Sequence, residues 1–153
     1  MIKLLLFSIF ASGYICAQQI EVVCEKDYEY KICKGDYSCE ASKCLYKNTD
    51  IKGAYKEYIL NLARDLPANE AKIYKKVLDA INTLKMNKPV ILKHTLKNQY
   101  GGSDSTCTFG LKYISKDILN IEYNKCSDEQ TFKVNFKQMN NDVEAIYEGN
   151  NGA

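Results

Sequence analysis

The chain reads as an α+β protein: a helical hairpin packed on a four- to five-stranded antiparallel sheet, preceded by a disulfide-stapled segment. Three observations lead there. Four cysteines, Cys24, Cys33, Cys39 and Cys44, crowd the stretch CEKDYEYKICKGDYSCEASKC. Apolar residues then recur every three or four positions through residues 51–84, the period of a helix. From residue 90 the period falls to two, that of a strand with one buried face.

The chain opens MIKLLLFSIFASGYICAQQ. Lys3 supplies a positive start, residues 4–15 carry no charge, and small Ala17 precedes polar Gln18. A secretory signal peptide over residues 1–17, cut after Ala17, is expected. The uncharged stretch is shorter than the ~20 apolar residues of a membrane-spanning helix. Bulky Tyr14 and Ile15 before Cys16 argue against a lipidated cysteine at that position. Cleavage removes Cys16 and leaves an even set: Cys24, Cys33, Cys39, Cys44, Cys107 and Cys126. The expectation is therefore a single secreted or periplasmic domain over 18–148, with no membrane span after cleavage. It divides into a Cys-rich segment (18–48), a helical hairpin (49–87) and a β-meander (88–148), with a frayed tail at 149–153.

A formal net charge of +2 and the lack of a basic run offer no field for nucleic acid. Zinc sites favour C-x-x-C pairs or paired histidines, and redox sites favour C-x-x-C. The gaps here are eight, five and four residues, and His94 is the only histidine. No metal and no cofactor is expected. In an oxidising compartment such thiols pair, so the six are read as three disulfides. Six cysteines allow fifteen pairings. The simplest arrangement nests Cys33–Cys39 inside Cys24–Cys44 and joins Cys107 to Cys126.

Within the Cys-rich segment, Tyr28, Tyr30 and Ile32 alternate with Glu29 and Lys31, which suggests a short strand; Gly35 and Asp36 mark a turn. Ile51, Tyr55, Tyr58, Leu62 and Leu66 form one helical stripe; Ile73, Val77, Ile81 and Leu84 form another. Pro67 suits the first turn of the second helix, which should end near Asn87, before Pro89. The strands of the meander carry Val90 to Leu96, Cys107 to Tyr113, Leu119 to Tyr123, Phe132 to Phe136 and Val143 to Tyr147 on alternating positions. Pairing the second and third in register places Cys107 and Cys126 on opposite faces. Their bridge then needs a bulge near Asn124 or Lys125, or an irregular strand end. Helices on one face of such a sheet give a layout similar to the cystatins.

Chemistry-bearing motifs are sparse. His94 lies on an apolar strand face without a nucleophile motif, so a structural histidine holding one hydrogen bond is expected. Ser103 and Ser105 lie in GGSDS, not in a nucleophile elbow. Asp27 with Glu29, and Asp128 with Glu129, are neighbouring carboxylates of the kind glycoside hydrolysis uses, and read as solvated surface acids. The loop Gly101, Gly102, Ser103, Asp104 has a polar tip able to enter a partner's groove. Tyr28, Tyr30, Tyr37 and Tyr46 are a candidate binding face, because tyrosine joins area to a polar tip.

NTDIKGAYKEYILNL, a second helix and YGGSDSTC together resemble a bacterial secreted family that includes lysozyme inhibitors. Asp50, Tyr55, Gly101, Gly102, Ser103 and Cys107 are the matching positions, within residues 44–107. The chain departs from the family in lacking its second-helix Trp and Arg-Asp, and in reading as strand where the family is helical. The resemblance implies an envelope inhibitor. The expectation is an exported, non-enzymatic binding protein, an inhibitor or immunity protein facing a lysozyme-type hydrolase or similar partner. The alternatives are a structural or assembly subunit of a cell-envelope complex and a small secreted hydrolase.

Overall fold

The computed structural model describes residues 20–36, 38–64, 68–97, 102–124 and 130–150. The expected signal peptide, Tyr37, Pro67, Gly101, Cys126 and the Asp128–Glu129 pair lie outside them. In chain order, β1 (Val22–Cys24) leads to α1 (Tyr28–Cys33) and β2 (Cys39–Tyr46). β1 and β2 pair antiparallel, with Cys24 opposite Cys44, and a disulfide joins these two. A second disulfide joins Cys33, at the end of α1, to Cys39, at the start of β2. The pairing is the nested one. By loop closure these bridges contribute about 3 and about 2 kcal/mol respectively. Cys107 is disulfide-bonded as well, and its expected partner Cys126 is not among the described residues.

The strand expected at Tyr28–Ile32 is a helix. Asp27 (φ 64°) and Lys34 (φ 51°) bracket it in the left-handed region, and the Lys34 N–H donates to Tyr30 O at 3.0 Å. The reason is topological. One edge of β2 is taken by β1 and the other by the final strand, so the alternating stretch cannot pair with β2.

α2 (Ile51–Ala63) starts at Asp50, whose carboxylate accepts the Gly53 N–H at 2.8 Å and caps the first turn. Its buried stripe is Ile51, Ala54, Tyr55 and Ile59. α3 (Ala68–Ala80) buries Ile73, Tyr74, Val77 and Ala80. It ends seven residues short of Asn87. Asn82 and Thr83 turn the chain through i→i+3 bonds to Asp79 and Ala80, and the Thr83 hydroxyl also donates to Ala80 O. Five strands follow: β3 (Val90–Leu96), β4 (Ser105–Ser115), β5 (Ile118–Asn124), β6 (Thr131–Met139) and β7 (Asp142–Asn150). β7 takes in Gly149 and Asn150, which were expected to fray.

The sheet has seven antiparallel strands in the order β1-β2-β7-β6-β5-β4-β3. The α+β class stands. The expected layout of a helical hairpin on four or five strands does not, because the Cys-rich segment supplies two strands of its own. Six strand spacings make the sheet about 29 Å wide. The helices spread over one face of it, α2 against β6 and α3 against β3. That face carries the core: Phe109, Leu111, Leu119, Ile121, Tyr123, Phe132, Val134, Phe136, Val143 and Ala145 meet the helix stripes. Phe109, Tyr123, Phe132 and Tyr147 stack across four strands, and Tyr74 of α3 meets Phe109 edge-on.

Candidate functional site

The candidates named from sequence divide into two places. Gly102, Ser103 and Asp104 are exposed on the β3–β4 connection. Tyr28 is half-buried on α1, and Tyr30 of the same helix is 75% exposed. Tyr46 is a correction. It is 4% exposed and packs on the core against Phe136, and burial pushes its phenol up to about 12. The reason is its position at the inner end of β2, opposite Val143, on the face the helices cover. The register Cys39–Asn150–Thr131–Asn124–Thr108 puts the β3–β4 loop and the start of β2 at the same end of the sheet. Four strand positions separate them, about 19 Å. They are two surfaces, not one.

His94 is half-buried on the core face opposite Cys107, whose Sγ lies 3.4 Å from the His94 carbonyl oxygen. Asp27 is the residue that begins α1, and Glu29 is exposed on it. Among the described residues no group of three His, Cys, Asp or Glu is placed to hold a metal ion, and no helix is long and apolar enough to cross a membrane.

A surface that sequence reading missed lies on the other side of the sheet, away from α2 and α3. The register aligns Ala41, Glu148, Lys133, Glu122 and Gly110 in one row across β2, β7, β6, β5 and β4. Ala41 is 3% exposed yet is not part of the main core. Its cover is α1, which the Cys33–Cys39 bridge holds over β2. Between α1 and the sheet opens a groove of about 770 Å³. Ile32 and Asp36 form its α1 side, Cys39 and Ala41 its floor, and Glu122, Lys133 and Glu148 its far wall.

The electrostatics follow from this placement. The Ser38 backbone N–H and hydroxyl both donate to Asp36 Oδ1, at 2.9 and 2.7 Å, and hold that carboxyl below its ordinary value. Lys133 reaches Glu122 only at 3.9 Å with both side chains mostly exposed, a pair of little energetic weight. Glu148 has no ion-pair or hydrogen-bond partner among the described residues. Glu40 points to the helix side of the sheet, where it accepts a hydrogen bond from the Tyr147 hydroxyl at 2.9 Å. No residue of the row neighbours another in sequence, so no local motif could have disclosed it.

A second recess, at the opposite end of the sheet, is a knot rather than a site. Gln138 donates to Thr49 O, Asn140 O and Asp142 O, and accepts the Ile51 N–H at 3.1 Å. This ties the β6–β7 turn to the start of α2.

No protein-family model matches the chain, and comparisons with curated proteins and with solved structures find no match either. The likeness to secreted lysozyme inhibitors therefore rests on the residues quoted for it alone.

Proposed function

We propose that the chain is an exported, non-enzymatic binding protein that occludes a protein partner, as an inhibitor or immunity protein does, with the stapled α1–β2 corner as its principal contact surface. The observation that carries this is Tyr30, 75% exposed, with Ile32, 48% exposed, on another side of the same six-residue helix, which is fastened by Cys33–Cys39 and flanked by Cys24–Cys44. So short a helix does not persist alone in water. Fixing one to display an aromatic and an aliphatic side chain lowers the ordering cost of association. Tyrosine at the centre of such a surface is a usual anchor. Two disulfides suit an oxidising compartment and thus an exported protein.

The resemblance to lysozyme inhibitors names a partner class, a lysozyme-type hydrolase, and a second contact, the Gly101–Asp104 loop. The test is capture of partners from envelope extract with the oxidised protein, then measurement of the captured partner's affinity for variants. Tyr30→Ala with Ile32→Ala should weaken it at least tenfold, and unchanged affinity contradicts the surface. Ser103→Ala with Asp104→Ala decides the loop in the same way.

The alternative, an assembly subunit, draws on one observation. β3 is an outer strand of seven residues, and Ile91 on it is 63% exposed on the uncovered side of the sheet. This reading expects co-purification with a larger complex and no inhibition of a hydrolase.

A further inference from the structure

We propose that the groove between α1 and the uncovered side of β5, β6 and β7 receives a short basic segment of the protein partner, with Lys or Arg side chains laid across the strands. This rests on the binding-protein reading above and names the chemistry the surface selects.

Charge supplies the first argument. Three carboxylates, Asp36, Glu122 and Glu148, border the groove against one ammonium, Lys133. The chain as a whole carries a formal charge of +2. The local excess of acid therefore runs against the composition and belongs to this place.

Shape supplies the second. Lys and Arg combine an aliphatic stem with a charged head. Ile32, 48% exposed, makes an apolar wall along which a stem can lie, beside Cys39. The heads then meet Glu148, which has no partner among the described residues, and Glu122, held only by the 3.9 Å contact to Lys133.

Spacing supplies the third. Glu122 and Glu148 flank Lys133 on the two neighbouring strands, which sets their backbones about 10 Å apart. That is too wide to enclose one small ion and leaves room for two separate cationic heads. The Asp36 carboxylate, fixed by Ser38, closes the α1 side.

The test is an NMR titration of isotope-labelled, oxidised protein with acetyl-Lys-Ala-Arg-Ala-Lys-amide, using the Glu-for-Lys/Arg peptide as control. Saturable shifts centred on the amides of Ile32, Ala41, Lys133 and Glu148 are expected. They should weaken at least fivefold in Glu122→Gln/Glu148→Gln and fall with added salt. Both substituted side chains lie on the uncovered face, so the core is untouched, and an unchanged amide spectrum away from the groove confirms the fold. No saturable shift, shifts elsewhere, or equal binding by the double variant overturns the inference. That result leaves the binding-protein reading to its own test at Tyr30 and Ile32.

Discussion

Gly149 lies opposite Phe132 in the β6–β7 ladder. A Cβ there falls 2.8 Å from Cδ1 and Cε1 of the Phe132 ring. That ring is fully buried and is stacked on both sides, by Tyr123 and Tyr147, so it cannot step aside. Gly149→Ala should therefore cost about 1–3 kcal/mol, the usual toll of overpacking, although alanine restricts the unfolded chain more than glycine does. A denaturant midpoint equal to that of the parent contradicts the packing described. Nothing local in YEGNN marks Gly149 as special. The constraint comes from a residue seventeen positions earlier in the chain, through the register.

At the scale of elements, legibility tracks how many faces are buried. β6 alternates buried Phe132, Val134 and Phe136 with exposed Lys133, Asn135 and Lys137, because one side meets the helices and the other meets water. Its period was plain in the sequence. β2 was missed because both its sides are partly covered, by the core at Tyr46 and by α1 at Ala41, and the alternation is lost. α1 was misread because a stretch of five residues alternates as readily on a helix as on a strand; only the occupied edges of β2 decide. The groove inherits both difficulties. Its floor is on β2, its roof is α1, and its acids come from strands joined only by pairing. The helix depends on its staple. Cys33→Ser/Cys39→Ser should lower stability by about 2 kcal/mol and release α1, seen as loss of helical amide shifts at Tyr28–Cys33 while the β3–β7 ladders persist. Retention of the helix in that variant contradicts this dependence.

For the whole molecule, the buried tyrosines link stability to alkaline pH. Burial is the first cause that raises the phenols of Tyr46, Tyr55, Tyr58, Tyr123 and Tyr147 above their ordinary value of 10.0. Four of them also engage their hydroxyls: Tyr55 donates to Val77 O, Tyr58 and Tyr123 meet at 2.8 Å, and Tyr147 donates to Glu40. The unfolded chain releases these protons near pH 10, and the folded chain keeps them. Above that pH the folded state binds more protons, so stability falls as pH rises. Below it these groups contribute no slope. The unfolding midpoint should thus decline from about pH 10 upward, with phenolate absorbance from these five rings appearing together with unfolding. Their ionisation in the intact fold contradicts the packing.

The seven-stranded sheet, the α1 corner and the proposed export all require sulfur bridges at defined places. Peptide mapping, without reduction, of protein isolated from the cell that makes it tests this most directly. Linked peptides pairing Cys24 with Cys44 and Cys33 with Cys39 are the predicted result. Free thiols at these four positions, or a different pairing among them, contradict the account.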